Sequence, residues 1–257
     1  MIEPTDRGFT LGDGLFETLL WQGGRLHEVA AHLDRMAAGC GVLGLPAPER
    51  SAAEAMMRDA VAAAGLAETR AAVRLTLSAG PGGRGLDRPE AIEPVLVATA
   101  GAAPRPTTSA RLAVSGVRRN DGSPASRLKT LSYLDNVLAR REALAAGADE
   151  ALMLDTRGRL SCAGAANLFW MVDDRLFTPA LDCGVLAGVV RGRTIAAARA
   201  RGIAVEEVAA APEILRRASG IFLTNSLIGL RPVDEIENFR VPQSRMLDDI
   251  SSDLGIH

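Results

Sequence analysis

Residues 127–134 read RLKTLSYL and contain Lys129, the only lysine of the 257-residue chain. Lysine and arginine together number 29, so all the remaining residues of these two types are arginines. A genomic base composition that replaces lysine by arginine explains the arginines. Lys129 could then be an ordinary surface lysine that survived by chance. A desolvated primary amine, however, can lose its proton and add to a carbonyl, whereas a guanidinium stays protonated. We therefore predict that Lys129 acts as a nucleophilic amine.

The chain has a strong break just before this stretch, where residues 120–124 read NDGSP, a turn signal. We predict a smaller N-terminal α/β domain at 1–118, an interdomain loop at 119–125 and a larger C-terminal domain at 126–257. Small-molecule sites tend to form where domains meet. The position of Lys129 beside this break therefore favours a ligand site.

A helix is expected to follow Lys129. Ser132 and Asp135 have the spacing of a capping box, with aspartate in place of the usual glutamate. The apolar spacing predicts a helix that ends at Gly147. Its buried side is expected to contain four residues: Leu134, Val137, Leu138 and Leu144.

The rest of the chain alternates short apolar strands with amphipathic helices, which favours an α+β fold. Strands are expected at 15–21, 71–78, 94–100, 111–117, 150–154, 159–162, 167–172 and 220–224. Further helices are expected at 29–40, 51–65, 189–201 and 241–254.

Composition indicates an ordinary globular protein, with a net charge of −2 and 47% hydrophobic residues. No apolar run approaches the roughly 20 residues that cross a bilayer, and the N-terminus lacks the apolar core of a signal peptide. Three cysteines and three histidines without ligand spacing predict no metal site and favour a reducing, cytoplasmic location. Near-neutral charge and 4% aromatic content argue against nucleic-acid binding.

Three segments could bind an anionic group such as a phosphate. Residues 184–191 (GVLAGVVR) form a glycine-bearing turn into a helix, residues 224–226 (TNS) follow an apolar strand, and Arg35 lies on a predicted helix. Each has a simpler interpretation, because glycine before a helix is usually only a turn and Arg35 fits a solvated helix face. Tyr133, the only tyrosine, could donate a hydrogen bond to a group held by Lys129 or pack at a helix start.

Taken together, the motifs of this chain resemble the class IV aminotransferases. These fold-type IV pyridoxal-phosphate enzymes include branched-chain aminotransferases, D-amino-acid aminotransferases and aminodeoxychorismate lyases. The matching segments are 6–18 (DRGFTLGDGLFET), 32–35 (HLDR), 127–134, 166–169 (ANLF), 184–191 and 224–227 (TNSL). The resemblance implies a two-domain α+β fold like that of D-amino-acid aminotransferases. It also implies a homodimer, with pyridoxal 5′-phosphate (PLP) bound by the larger domain.

The resemblance assigns roles to individual residues. Lys129 is implied to bind the PLP aldehyde as a Schiff base and to carry the proton of the reaction. Contacts with PLP are implied for Arg35, Tyr133, Cys162, Val189, Val190, Asn225 and Ser226. Contacts with the substrate are implied for Arg84 and Thr18.

Several positions depart from the family pattern. Cys162 stands where relatives usually have a glutamate that pairs with the pyridine nitrogen, and a neutral thiol would leave PLP a weaker electron sink. Another carboxylate could substitute, the reaction could need less carbanion stabilisation, or activity could be lost. Val190 replaces a threonine, Leu86 replaces a histidine partner of Arg84, and Leu20 replaces a basic residue.

Segments 127–139 and 165–170 look closest to the aminodeoxychorismate lyases. That resemblance implies elimination of pyruvate from 4-amino-4-deoxychorismate to give 4-aminobenzoate for folate synthesis. Because aromatisation drives this reaction, we hypothesise that it tolerates the weaker electron sink that Cys162 implies. The alternatives are a D-amino-acid or branched-chain transaminase and, from another class, a catalytically weakened PLP-binding homologue.

Overall fold

The computed structural model describes residues 2–243 and residue 252. It divides the chain into two compact units: Met1–Pro104 with Leu128–Ser132, and Arg105–Arg127 with Tyr133–His257. The chain thus leaves the first unit earlier than the predicted loop at 119–125. The reason is that the strand beginning at Ala110 pairs with strands of the second unit. Lys129 belongs to the short segment that returns to the first unit.

The first unit is a sheet covered by helices. Its elements are α1 (Arg7–Leu11), β1 (Gly14–Gln22), β2 (Arg25–Leu26), α2 (Val29–Leu43), α3 (Arg50–Ala63), β3 (Ala71–Ser78) and β4 (Val95–Ala102). The strands pair antiparallel in the order β2-β1-β3-β4. Apolar residues of α2 and α3 form one core with alternate residues of β1 and β3.

The two faces of β1 have different surroundings, because successive side chains of a strand point to opposite faces of a sheet. Leu15 and Leu19 pack in the core. Phe16 and Thr18 therefore lie on the opposite face, which we call the Phe16 face. Thr18 is directly opposite Arg74 of β3, so Arg74 shares this face.

The second unit contains a mixed sheet that has nine strands in the described residues. Its elements are β5 (Ala110–Val114), α4 (Pro124–Arg127), α5 (Leu134–Ala145), β6 (Glu150–Leu154), β7 (Leu160–Ala163), β8 (Asn167–Val172), β9 (Arg175–Pro179), α6 (Val189–Ala200), β10 (Val205–Val208), β11 (Gly220–Asn225), β12 (Gly229–Ile236) and β13 (Phe239–Arg240). The strand order is β10-β9-β8-β11-β12-β5-β6-β7, with β13 beside β12. β5 runs parallel to β12 and β6, β10 runs parallel to β9, and the other pairs are antiparallel.

The predicted α+β fold is confirmed, and β3, β6 and β8 coincide with predicted strands. The sequence interpretation missed β9, β10 and β12. Strand β12 contains Pro232, and a proline inside an apolar run argues against a strand. The predicted helix at 241–254 lies mostly outside the described residues, and residues 241–243 are not helical.

Helix α5 buries a different side from the predicted one. Four residues expected to be buried are instead exposed: Leu134 (68%), Val137 (52%), Leu138 (38%) and Leu144 (55%). The buried residues are Asn136, Ala139 and Ala143. Small side chains let the helix approach β6 closely, and Asn136 Nδ2 donates to the Gly164 carbonyl at 2.7 Å.

The start of α5 also differs from the prediction. Its N-cap is Tyr133 rather than Ser132, so the expected capping box is not formed. The helix ends at Ala145, and Gly147 adopts a left-handed conformation with φ 76° just beyond it. The predicted end was therefore two residues too late.

Three further observations concern membranes, metals and thiols. Within the described residues, none of the helices is long and apolar enough to cross a membrane. The same residues contain no group of three or more His, Cys, Asp or Glu side chains that could hold a metal ion. Cys40, Cys162 and Cys183 are buried free thiols.

Candidate active site

Lys129 is held at the edge of the first-unit sheet by backbone hydrogen bonding. Segment Leu128–Ser132 runs antiparallel to the start of β1, with Leu15 opposite Thr130. The Phe16 N–H donates to the Lys129 carbonyl at 2.9 Å. The Lys129 side chain therefore lies on the Phe16 face, with its Nζ atom 4.2 Å from the centre of the Phe16 ring.

Gly14 permits the close approach of this segment to β1. The Leu131 N–H donates to the Gly14 carbonyl at 3.0 Å. A Cβ atom at Gly14 would lie 2.2 Å from the Leu77 carbonyl oxygen and 2.9 Å from Leu131 Cδ1. A side chain here would therefore collide with the backbone of β3 and would also press on the Leu131 side chain of the segment that carries Lys129.

A buried charge cluster joins β1 to α2. Glu17 is fully buried and accepts hydrogen bonds from Arg35, at 2.8 Å from Nε and 2.5 Å from Nη2. Nδ1 of His32 lies 2.7 Å from the same carboxylate. Burial alone would raise the pKa of Glu17, but the hydrogen bonds from Arg35 and His32 hold it below its ordinary value. Glu17 is thus a buried anion that fixes the orientation of Arg35.

The surroundings of Lys129 favour its neutral amine. Burial and the positive charge of Arg35 lower the pKa of Lys129, Glu17 opposes them, and Arg74 lowers it further. The net effect brings the pKa of Lys129 from 10.5 to about 8. At pH 8 about half of these amines are neutral and able to attack a carbonyl.

In the second unit, a glycine turn leads into α6. The N-cap is Gly188, which has no side chain to bind the first N–H groups of the helix. Asn167 Nδ2 donates to the Leu186 carbonyl at 2.9 Å, and a Cβ atom on Gly188 would lie 2.0 Å from Asn167 Oδ1. Val189 is half-buried and Val190 is buried. The backbone N–H groups at this helix N-terminus form an arrangement suited to an anion.

The loop after β11 is shaped by the side chain of Asn225. Its Oδ1 atom accepts from the N–H groups of Leu227 and Ile228, both at 2.9 Å. Its Nδ2 atom donates to the Ala165 carbonyl at 3.0 Å. The amide of Asn225 therefore stabilises the loop, and the half-buried Ser226 is the residue with a hydroxyl at the tip.

The two candidate phosphate segments converge at the start of β8. Asn225 binds Ala165, Asn167 binds Leu186, and Asn167 pairs with Thr224 across the sheet. Thr224 is fully buried, and its hydroxyl oxygen has no hydrogen-bond partner among the described residues. The structure thus brings these predicted site residues together within the second unit.

Comparison with known proteins identifies the family. A sequence profile described as amino-transferase class IV matches residues 14–236. The chain belongs to the class IV aminotransferase family. It is 29% identical over 237 residues to the aminodeoxychorismate lyase of Vibrio harveyi, covering 90% of this chain and 86% of that protein. It is 30% identical over 257 residues to a provisionally assigned branched-chain-amino-acid aminotransferase of Methanocaldococcus jannaschii, covering 97% and 87%.

A solved structure supports the same family. A protein from Legionella pneumophila, provisionally assigned as a 4-amino-4-deoxychorismate lyase, matches with a TM-score of 0.91 and 27% identity. The match covers 99% of this chain and 94% of that chain. This class IV aminotransferase family member therefore has the expected fold type IV. It is an enzyme of a family that depends on PLP.

In this family member, Cys162 lies in an apolar cluster of the second unit. It is 7% exposed, pairs with Met153 across β6 and β7, and packs in the cluster that contains Ala139 and Ala143. Burial raises the pKa of the Cys162 thiol, although the charge of Arg119 opposes this effect. The side chain at the expected glutamate position is therefore a neutral thiol.

Three other predicted site residues of this class IV enzyme differ in their exposure and in their place in the fold. Tyr133 is half-buried at the start of α5. Thr18 is half-buried on the Phe16 face, the face that carries Lys129. Arg84 is exposed in the loop between β3 and β4 and does not belong to the charge cluster around Lys129.

Sequence reasoning missed Glu17 and His32. Glu17 is a charged residue in the middle of an apolar strand, and this position was a usable signal of a buried ion pair. His32 precedes Arg35 by three residues on α2, a spacing that places two side chains on the same side of a helix.

Sequence reasoning also missed Arg119, because the residues around it in the sequence do not indicate its hydrogen-bond partners. Its guanidinium donates to the Gly184 carbonyl at 3.3 Å, to Asn136 Oδ1 at 3.1 Å and to the Ser126 carbonyl at 2.5 Å. These partners lie 7 to 65 residues away along the chain. Arg119 thereby ties the turn before α6 to α5.

Proposed function

We propose that this chain is a PLP-dependent 4-amino-4-deoxychorismate lyase, which releases pyruvate and gives 4-aminobenzoate for folate synthesis. The observation that carries the proposal is Lys129, the chain's only lysine, whose pKa is lowered to about 8. An amine with this pKa is suited to covalent attachment of an aldehyde. Similarity to the Vibrio harveyi lyase supports the choice of reaction.

Residues of each unit have chemistry that suits PLP. In the first unit, Lys129 would bind the aldehyde carbon of PLP. In the second unit, the uncapped N-terminus of α6 would give the N–H groups of Val189 and Val190 to a phosphate. Ser226 would add a hydroxyl, and Arg35 of the first unit would add the positive charge of its guanidinium. The buried hydroxyl of Thr224, which has no partner in the described residues, supports a polar ligand nearby.

Lys129 would carry the proton of the elimination. Bound PLP would withdraw electrons from the substrate carbon that bears the amino group. The Lys129 amine would remove the proton from that ring carbon as the bond between the ring and the enolpyruvyl oxygen breaks. The same nitrogen would then deliver the proton to the methylene carbon of the departing enolpyruvate, which becomes pyruvate. A pKa of about 8 lets one group accept and return a proton near neutral pH.

Two alternatives rest on specific observations. Similarity to the Methanocaldococcus jannaschii protein supports a transaminase that moves an amino group from a D- or branched-chain amino acid to a 2-oxo acid. The neutral thiol of Cys162 supports a catalytically weakened PLP-binding homologue. The lyase proposal accommodates Cys162, because aromatisation of the product ring supplies driving force that a transamination lacks.

Product analysis distinguishes these functions. The purified protein, loaded with PLP, is incubated with 4-amino-4-deoxychorismate, and 4-aminobenzoate and pyruvate are measured. Separate incubations contain D-alanine or leucine with 2-oxoglutarate, and glutamate is measured. We expect 4-aminobenzoate and pyruvate in equal amounts. Glutamate without 4-aminobenzoate would replace the lyase with the transaminase, and the absence of all three products would favour the weakened homologue.

We further propose that the enzyme is a cytoplasmic homodimer. Leu134, Val137 and Leu144 leave an apolar side of α5 exposed, and such surfaces commonly mark contacts between proteins. Three free thiols fit a reducing compartment. Sedimentation of the purified protein tests the dimer, and a species of about 27 kDa would contradict it.

A further inference from the structure

A cavity of about 290 Å³ lies in the second unit. It is lined by residues of the β8–β9 hairpin and of segment 208–217, and we call it the hairpin cavity. Its volume is just below the roughly 300–1,000 Å³ of sites for drug-sized ligands. The hairpin cavity therefore suits a compound with a single ring.

The hairpin cavity is separate from the candidate phosphate segments of the same unit. Those segments meet at Asn167, at the start of β8, whereas Trp170 and Val172 line the cavity toward the end of that strand. Val172 is five positions after Asn167, which is roughly 16 Å along an extended strand. Trp170 is three positions after Asn167, so the two side chains point to opposite faces of the sheet.

Two aromatic rings form part of the cavity wall. Trp170 and Phe177 are directly opposite in the pairing of β8 with β9 and project from the same face. Their ring centres are 5.8 Å apart, and their planes are nearly parallel, at 14°. Val172, Val208 and Ile214 add aliphatic wall. These walls suit the flat apolar surface of another ring.

Two charged residues of the lining lack a partner. Among the described residues, the Asp173 carboxylate and the Arg217 guanidinium form no hydrogen bond and no ion pair, either with other residues or with each other. The third charged residue, Arg175, is paired with Glu206. A free carboxylate and a free guanidinium complement a ligand that carries both an ammonium group and a carboxylate.

We propose that the hairpin cavity is a second small-molecule site, which binds an aromatic amino acid. The ring of the ligand would pack against Trp170 and Phe177. Arg217 would bind the carboxylate of the ligand, and Asp173 would bind its ammonium group. This inference goes beyond the proposed function, because the site uses none of the candidate active-site residues.

Tryptophan fluorescence gives a direct measure of occupancy. The chain contains two tryptophans, so Trp21→Phe leaves Trp170 as the remaining one. Titration of the PLP-loaded Trp21→Phe protein with L-phenylalanine should change the emission of Trp170 and reach saturation. Two analogues should each bind at least about tenfold more weakly, because each loses one charge-assisted contact. They are 3-phenylpropionate, which lacks the ammonium group, and 2-phenylethylamine, which lacks the carboxylate.

Matched substitutions locate the binding site. In the same background, Arg217→Gln and Asp173→Asn should each weaken binding of L-phenylalanine at least about tenfold. Arg216→Gln is the control for the first, because Arg216 lies 5.7 Å from the centre of the Phe239 ring and does not line the cavity. Asp174→Asn is the control for the second. Asp173 and Asp174 have φ angles of 49° and 58°, which asparagine also adopts, so both variants should keep the turn.

Each outcome supports or overturns the proposal. Weaker binding in Arg217→Gln and Asp173→Asn, with both controls unaffected, would support it. An emission of Trp170 that L-phenylalanine does not change would overturn it, as would equal affinities in the cavity variants and their controls. Equal affinities of L-phenylalanine and its two analogues would overturn it even if the cavity variants failed to fold. None of these measurements requires formation of 4-aminobenzoate, so this inference and the lyase assignment can fail separately.

Discussion

Glu17 and Arg35 form a two-point hydrogen-bonded pair that joins the middle of β1 to α2. The carboxylate is fully buried, and the Arg35 side chain is 17% exposed. After burial, the charge of Arg35 has the largest effect on the pKa of Lys129. The pair therefore positions the cation that helps to keep the amine reactive.

Replacing Glu17 by glutamine should destabilise the protein. The Arg35 guanidinium would lose its anionic partner in a largely buried position, which costs about 2–4 kcal/mol of unfolding free energy. Urea denaturation measures this change. Glu54→Gln is the control, because its pair with Arg58 is exposed and such pairs contribute less than about 1 kcal/mol.

The pH dependence of stability offers a check on the same pair. The pKa of Glu17 is below its ordinary value of 4.5 in the folded protein, so its contribution is present above that value and is lost as acid protonates the folded state. The Glu17→Gln protein should lack this component of acid sensitivity. Identical urea midpoints for the two proteins at pH 7 would contradict the assigned interaction.

Replacing Lys129 by alanine should abolish covalent attachment of PLP. With no other lysine in the chain, the visible absorption band and the label fixed by borohydride should both disappear. Turnover should fall roughly a thousandfold or more, because the group that moves the proton is lost. Peptide mapping of the label identifies the residue, and Arg127→Ala, an exposed change two positions earlier, is the control. Undiminished colour and turnover in Lys129→Ala would overturn the proposed function.

The rate at which PLP attaches to the apoprotein should follow the titration of Lys129. The reactive form is the neutral amine, so the rate should rise with pH and level off above about pH 8, where the pKa of Lys129 lies. An ordinary lysine would continue to gain reactivity up to its pKa of 10.5. Stopped-flow absorbance measures the attachment rate, and a rise that continues past pH 9.5 would exclude the lowered pKa.

Stability provides an independent measure of the same shift. Between pH 8 and 10.5 the unfolded chain binds more protons at Lys129 than the folded chain does. The unfolding free energy of the native protein should therefore rise across this range relative to that of Lys129→Met. A difference that does not change with pH would show that folding leaves this pKa unaltered.

Much of the fold was predictable because strand and helix periodicities were clear in segments such as β3 and β8. Helix α5 shows the limit of that reasoning. Its leucines and its alanines both follow a helical repeat, and hydrophobicity alone favoured the leucines. The helix instead packs Ala139 and Ala143 on the sheet, because small side chains allow a closer approach.

The sequence predicted individual residues of the candidate site but not the contacts between residues that are distant along the chain. Lys129 stood out by its uniqueness, but the pairing of Glu17 with Arg35 spans 18 positions and has no local pattern. The shared contact of Arg74 and Lys129 with Phe16 depends on strand register, which the sequence did not fix. Sequence reasoning therefore found Lys129 and Arg35 but missed Glu17 and Arg74, which also affect the pKa of Lys129.

The exposed apolar side of α5 leads to a prediction about assembly. Replacing Val137 or Leu144 by glutamate should convert the proposed dimer to a monomer, because each side chain is more than half exposed in one chain and would be covered in the dimer. Ala62→Glu, at an exposed position of α3 in the first unit, is the control for added negative charge. Sedimentation equilibrium gives the mass, and dimers of unaltered stability in both apolar variants would exclude this side of α5 from the interface.

Substitutions of Cys162 test how strongly the lyase reaction depends on PLP as an electron sink. We expect Cys162→Glu to change the lyase rate less than about threefold relative to Cys162→Gln, because aromatisation provides much of the driving force. Glutamine matches glutamate in size, so the comparison isolates the charge from the disturbance of the cluster that contains Ala139 and Met153. Any transaminase side activity should gain more from the carboxylate, since a transamination lacks that driving force. A lyase gain of about a hundredfold or more in Cys162→Glu would show that the missing charge limits the native enzyme, and would favour a weakened homologue.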